Sequence, residues 1–313
     1  MGDMHIKEDP ALFGLIGTGI GESRSPELFR AAYGGQWAYD LLDGTDFLPL
    51  WKRFLEEYRA VNITAPFKQD AFAQAVQLTR DGFGSISGPC FKIRATNLAV
   101  KTPEGIRFDN TDFSGIILSV AEALYPGLIP LCYERFGDRS PVKIHQFLRE
   151  NLAEDYGYTP QALIVGCGGA GRAAAVAAAE MGFGTALMNR TPERAQQLAD
   201  EMPEYGFIPV PLSDFRASLR ECDLVIYTLP EAIPAVGELT AEDFAGENAA
   251  VRKVVLEANY KTPAFSGAVR ERMAEGRCRY AGGRRWLLWQ AVTGYGTMTG
   301  TLPDRAAMED SMQ

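Results

Sequence analysis

A chain of 313 residues is longer than one hydrophobic core usually needs, so two domains are expected. With 31 basic against 40 acidic residues, the net charge of −9 argues against nucleic acid or an anionic membrane as a partner. Five cysteines without a CxxC, and only two histidines (His5 and His145), argue against a metal site, a Ser-His-Asp hydrolase and a histidine-based dehydrogenase. The scattered thiols suit a reduced cytoplasmic setting. The opening MGDMHIKEDP lacks the apolar core of a leader, and no apolar run reaches membrane-spanning length.

Residues 12–16 are apolar, end at Gly17 and predict a first strand. In the following GTGIGESRSPELFRAAY, Ser25 before Pro26 has the form of a helix start, a hydroxyl N-cap with proline in the first turn. Ser23 and Ser25 are also hydroxyl donors beside a helix N-terminus, a seat for a substrate carboxylate. Residues 37–42 read as a strand and 46–58 as an amphipathic helix. A β-branched strand, Ala60-Val61-Asn62-Ile63-Thr64, is cut by Pro66, with Lys68 just beyond its tip. Lys68 is either solvated surface or, in a partly desolvated cleft, an acid/base group. A helix over 69–79 and the glycine-rich DGFGSISGPC come next. Asn110-Thr111-Asp112 is an Asx turn or cap for a helix over 113–124, or else presents Asp112 at the mouth of a cleft.

Residues 126–160 form a charged and aromatic insert with a helix expected over 140–155. QALIVGCGGAGRAAAVAAAEMGFGTALMNRTPER then reads as strand, glycine loop, alanine-rich helix and second strand. Its GxGxxG is complete at Gly166, Gly168 and Gly171, with Gly169 and Ala170 inside. Such glycines permit a tight turn, let the backbone approach a pyrophosphate and let the helix pack on the strand. The phosphates would lie on free N–H groups where the helix starts, near Gly171. The second strand ends in Asn189, Arg190 and Thr191, with Arg194 one turn on. Two guanidiniums suit a 2′-phosphate that a carboxylate would repel, so the pattern selects NADP over NAD.

In order along the chain, S-x-S-P, VNITAPFK, N-T-D-x-x-G, GxGGAGRA, NRTxxRA, YKTP and a late WLLWQA resemble the shikimate dehydrogenase family (shikimate/quinate 5-dehydrogenases). The resemblance implies two α/β domains. A substrate domain comprises 1–112 plus 284–313, and a Rossmann NADP-binding domain spans 113–283, including the insert. The C-terminal helix would return to the first domain, and the site would lie in the cleft between the two. It implies NADP-dependent, reversible reduction of 3-dehydroshikimate to shikimate, a step of chorismate and aromatic amino acid biosynthesis. Lys68 and Asp112 would be catalytic. Ser23, Ser25 and Tyr260 would hold the carboxylate, while Thr64, Lys68, Asn97, Asp112 and Gln290 would read the ring. Gly166, Gly168, Gly169, Ala170 and Gly171 would bind pyrophosphate. Asn189, Arg190, Thr191 and Arg194 would hold the adenosine phosphate, with Gly283 near the nicotinamide. A cyclic hydroxy acid is thus the expected partner, and a homodimer is compatible with the family.

Several positions depart from the family pattern. Arg94 replaces a glycine close to Asn97, Leu98 follows where a threonine is usual, and Phe108 replaces a glycine before Asn110. Tyr227 opens a segment that is commonly N-A-T-P, and Trp286 stands where methionine is usual. Arg94, Leu98 and Trp286 motivate a second reading, turnover of quinate, an aminoshikimate or another cyclic polyol acid. A third is a non-catalytic NADP-binding regulator, against which intact Lys68 and Asp112 weigh.

Overall fold

The computed structural model describes residues 12–245 and 253–312; the MGDMHIKEDP segment, with His5, lies outside them. Two compact α/β units are present, Met1–Thr111 with Ala291–Gln313, and Asp112–Gln290.

The first unit carries β1 (Leu12–Gly17), α1 (Ser25–Ala32), β2 (Ala38–Asp43), α2 (Phe47–Glu57) and β3 (Ala60–Ile63). These are followed by α3 (Lys68–Arg80), β4 (Gly84–Ile86), α4 (Gly88–Ile93), β5 (Leu98–Thr102) and β6 (Gly105–Asp109). Its sheet has the order β2-β1-β3-β5-β6-β4. β1 runs parallel to both neighbours, whereas β5 is antiparallel to β3 and β6. The amphipathic α2 buries Phe47, Leu50, Trp51 and Phe54 on one face, the side chains that an i, i+3, i+4, i+7 spacing aligns. These join Val61, Ile63, Cys90, Ala99 and Phe108 in one apolar cluster.

Helix α5 (Thr111–Leu124) carries the chain into the second unit, where α6 (Leu128–Phe136) and α7 (Ser140–Tyr156) precede β7 (Gln161–Val165). Then come α8 (Gly169–Met181), β8 (Gly184–Met188), α9 (Pro192–Glu201), β9 (Ile208–Pro209), α10 (Phe215–Glu221) and β10 (Leu224–Tyr227). The series closes with α11 (Pro234–Gly237), β11 (Val254–Glu257), α12 (Gly267–Glu275), β12 (Arg279–Ala281) and α13 (Gly283–Thr299). Helix α14 (Arg305–Ser311) ends the chain and packs on α1. All six strands of the second sheet are parallel, in the order β12-β11-β10-β7-β8-β9. Read from the other edge this is the doubly wound 3-2-1-4-5-6 order, which reverses between β7 and β10.

The insert packs into the second unit's own helices. Helix α7 turns Ile144, Leu148, Leu152 and Tyr156 inward and lies on α8. Its His145 meets the Glu180 carbonyl at 3.0 Å and the edge of Phe113. Tyr133 of α6 stacks on Trp289 of α13.

Three local expectations are corrected. Ser25 is the first helical residue of α1 rather than its N-cap; Arg24 holds that position without a side-chain capping bond. The physical reason is Ser23, whose hydroxyl oxygen accepts the Ser25 amide at 3.3 Å. Asp112 lies inside the first turn of α5, not in a turn before it. Helix α8 starts at Gly169, so the last glycines of the loop belong to the helix itself. Among the described helices none is long and apolar enough to cross a membrane.

Candidate active site

The loop after β7 sits at the point where strand order reverses. Gly166 has φ +107, and a Cβ there would lie 2.4 Å from Thr228 Oγ1. A Cβ on Gly171 would lie 1.7 Å from the Gly166 carbonyl oxygen. Both positions therefore require glycine for the protein's own sake. Gly168 is different: its φ of −76 suits any residue, and a Cβ would meet nothing within 4 Å. The space over Gly168 is open, as close approach of a pyrophosphate to the backbone requires, so the loop fits a dinucleotide. The first bond of α8 runs from Arg172 N–H to the Gly168 carbonyl at 2.8 Å. The amides of Gly169, Ala170 and Gly171 thus have no partner within the helix, the arrangement that receives an anion.

Thr228, after β10, ties the two central strands together by donating to the carbonyls of Val165 (3.1 Å) and Gly166 (3.2 Å). Asn189 is 6% exposed and spends its side chain on the loop. It accepts the Cys167 amide at 3.1 Å and donates to the Thr191 carbonyl at 2.9 Å. Arg190, Thr191 and Arg194 are exposed around the N-terminus of α9. The Arg190–Glu231 pair is long at 3.4 Å and open to water on both sides, so it is weak and easily exchanged. Burial pushes the Cys167 thiol up to about 12, against the lowering influence of Arg172 and Arg194, so it stays protonated.

In the first unit, Lys68 opens α3 and its carbonyl accepts the Thr96 amide at 2.9 Å. The next residue, Asn97, is fully buried. Its Oδ1 accepts the Thr111 amide at 2.8 Å and its Nδ2 donates to Thr111 Oγ1 at 3.3 Å. Asn110 Nδ2 donates to the Ala95 carbonyl at 2.8 Å. These bonds stitch the VNITAPFK and NTD segments together at the start of α5. Thr64, partly exposed, donates its amide to the Ile16 carbonyl at 2.9 Å. Ser23 and Ser25 stand 3.2 Å apart, hydroxyl to hydroxyl.

In the second unit, Asp112 is 3% exposed. Gln290 of α13 packs on Gly115 of α5, where an added Cβ would lie 3.0 Å from Gln290 Cβ. Gly115 is one helical turn beyond Asp112, on the same face of α5. Gly283 opens α13 so close to the end of β11 that a Cβ would lie 2.4 Å from the Ala258 carbonyl. That seam is next to Tyr260, which is partly exposed. No cluster of three or more metal-ligating side chains occurs among the described residues.

The family model for shikimate / quinate 5-dehydrogenase matches residues 151–254. A shikimate dehydrogenase (NADP(+)) of Thermus thermophilus is 30% identical over 306 residues, covering 96% of each chain. The chain belongs to the shikimate dehydrogenase family. A crystal structure of shikimate 5-dehydrogenase from Thermus thermophilus, in complex with NADP(H) and shikimate, has a TM-score of 0.68 at 26% identity. It covers 96% of this chain and 98% of that one. Quinate dehydrogenase from Corynebacterium glutamicum, in complex with NAD, has a TM-score of 0.69 over 97% and 99% of the two chains. At 22% identity it shares the fold.

The departures from the family pattern acquire structural explanations. Arg94 is exposed and caps α4 in the left-handed region (φ 56, ψ 40), a conformation that suits the family's glycine. Leu98 and Phe108 are fully buried, Phe108 stacking on Trp51. Tyr227 is a core ring whose hydroxyl donates to the Glu231 carbonyl (2.7 Å) and accepts the Ile233 amide (3.0 Å). Trp286 is buried on Gly115, with Cδ1 3.1 Å from the place of an added Cβ. Sequence reasoning assigned no role to Thr228, Tyr39 or Asn62. Threonine after β10 and asparagine in a β-branched strand were the available signals.

Proposed function

We propose that this protein catalyses the NADP-dependent, reversible reduction of 3-dehydroshikimate to shikimate. The observation that carries the reading is the pair of bonds from Thr96 to Lys68 and from Thr111 to Asn97. Together they draw the lysine segment to the residue preceding Asp112. NADPH supplies the hydride when bound, held by the amides of Gly169, Ala170 and Gly171 and by Arg190 and Arg194. As the ketone carbon takes that hydride, negative charge builds on its oxygen and needs a cation and a proton beside it. Lys68 donates the proton from its ammonium, and in the reverse direction its amine accepts it. Asp112 orients that ammonium and binds the same hydroxyl region. Ser23, Ser25 and Tyr260 hold the carboxylate, and Thr64 and Gln290 read ring hydroxyls. Asn97 and Asn189 also shape their own segments, each keeping one Nδ2 proton beyond the bonds already made.

The cyclitol alternatives drew on Arg94, Leu98 and Trp286, and the latter two are now accounted for by packing. The test is a grid of turnover on shikimate and quinate with NADP and NAD. Shikimate with NADP is expected to give the highest kcat/KM. Quinate with NAD outrunning it would reverse the assignment, and NADPH binding without turnover of any cyclitol acid would favour a regulator.

A further inference from the structure

Helix α1, which carries the serine pair at its start, is short and weakly begun. It spans 8 residues, and its N-cap Arg24 makes no side-chain capping bond. A helix of that length does not hold its own first turn in water, so contacts from elsewhere must set it. They come from the C-terminal end of the chain. Tyr295 of α13 donates its hydroxyl to the Ser25 carbonyl at 3.1 Å. Arg24 Nη2, one residue back, donates to the Ser311 carbonyl of α14 at 2.5 Å. At the other end of α1, the Asp304 amide donates to the Ala32 carbonyl at 2.9 Å. There Tyr33 also meets Thr299 Oγ1 (2.9 Å) and the Thr301 carbonyl (3.0 Å). The C-terminal segment from Tyr295 onward is thus fastened to α1 at both ends.

We propose that Tyr295 and Arg24 are positioning residues for the substrate carboxylate, fixing from the C-terminal segment the peptide that carries Ser23 and Ser25. The inference rests on the functional reading above and goes beyond it by naming what holds the serine pair. Tyr295 is 2% exposed, and a buried hydroxyl needs an acceptor. Its ring meets Phe29 edge-on, 5.0 Å between centroids. Phe29 is one helical turn after Ser25, so ring and hydroxyl grip the same face of α1. A carbonyl has two lone pairs, which lets Ser25 take this bond as well as the helix's own. The bond falls on the main chain and uses neither serine proton. A carboxylate only accepts hydrogen bonds, so it must draw its donors from hydroxyls such as these. Ser23 depends on the same peptide: its oxygen accepts the Ser25 amide at 3.3 Å, and the two hydroxyl oxygens stand 3.2 Å apart. Arg24, between the serines, supplies the second tether through Ser311.

The experiment compares Tyr295→Phe and Arg24→Gln with wild type on shikimate and on shikimate carboxamide, alongside the KM for NADPH and the melting temperature. Phenylalanine keeps the ring against Phe29 and removes only the hydroxyl. The expected result for Tyr295→Phe is a rise of about fivefold in KM for shikimate, with kcat within about twofold and the KM for NADPH unchanged. The preference for acid over amide falls by a similar factor. Arg24→Gln cuts the other tether and is expected to lower that preference too, which keeps the test open if Tyr295→Phe does not fold. Tyr33→Phe is the control: it loses bonds to the same C-terminal segment at the far end of α1. It is expected to leave the preference intact. An unchanged acid/amide preference in a folded Tyr295→Phe or Arg24→Gln, or an equal loss in Tyr33→Phe, overturns the proposal while leaving the function standing. A wild type inert towards shikimate overturns the function, and this inference with it.

Discussion

Arg94 shows what a single residue can conceal. Its left-handed backbone marks a helix C-cap, a place where glycine avoids the steric cost that a side chain incurs. Arg94→Gly is expected to stabilise the protein by about 1 kcal/mol, read from urea unfolding, with little change in kcat. A loss of stability would mean that the arginine side chain contributes more than its backbone costs. In the proposed mechanism Lys68 makes the opposite case, a residue whose value is chemical. Lys68→Ala is expected to lower kcat by about 10²- to 10⁴-fold while the KM for NADPH holds, because it removes a proton donor used at the transition state. Near-normal turnover would remove Lys68 from the mechanism. Lys68, Asp112 and the serines could be proposed from sequence because each lies in a short local motif. The commitments of Asn97 and Asn189 were not. Their partners, Thr111 and Cys167, lie 14 and 22 residues away in sequence.

Among the elements, the glycine loop separates folding from binding. Gly171→Ala forces a Cβ into the Gly166 carbonyl and should both destabilise the second unit and abolish NADPH binding. Gly168→Ala meets open space. It should therefore leave the melting temperature within a degree or two while weakening NADPH by about tenfold or more. Isothermal titration and thermal melts on both variants distinguish the roles; equal destabilisation would contradict them. The strand–loop–helix order was readable because glycine spacing and apolar runs act over neighbouring residues. Boundaries shifted where a side chain from outside the element intervened. Ser23 took the amide that makes Ser25 helical rather than capping, and Asn97 started α5 at Thr111.

For the whole molecule, the side chain of Asp243 supplies a test of pH dependence. It is fully buried; one oxygen accepts Arg216 Nε (2.8 Å) and Arg220 Nε (2.5 Å). The other accepts the Thr240 amide (2.7 Å) and hydroxyl (3.0 Å). Burial pushes this carboxyl up, but the bonds from Arg216, Thr240 and Arg220 outweigh it and hold it well below the usual carboxylate range. A lowered folded value means the contribution is complete above the unfolded value of about 3.9 and is lost as pH falls from there through the folded value. Asp243→Asn is therefore expected to cost about 1–2 kcal/mol at pH 7, the half-exposed arginines limiting the effect, and progressively less below pH 4. Urea unfolding at pH 7 and pH 3 checks this. A difference that does not shrink at pH 3 would assign the effect to packing.

Local order along the chain was enough to read the two α/β units, the glycine loop between strand and helix, and the family. Each depends on residues adjacent in sequence, or on motifs whose spacing follows from strand and helix geometry. Tertiary structure alone decided which departures matter and which side chains are already engaged. Phe108 and Tyr227 became core residues only once sheets closed around them. The run of bonds from Tyr39 through Asn62 and Asn97 to Thr111 exists because strand register brings Tyr39 and Asn62 to one face across β1. Hydrogen bonds between residues tens of positions apart depend on that register, which no local pattern encodes.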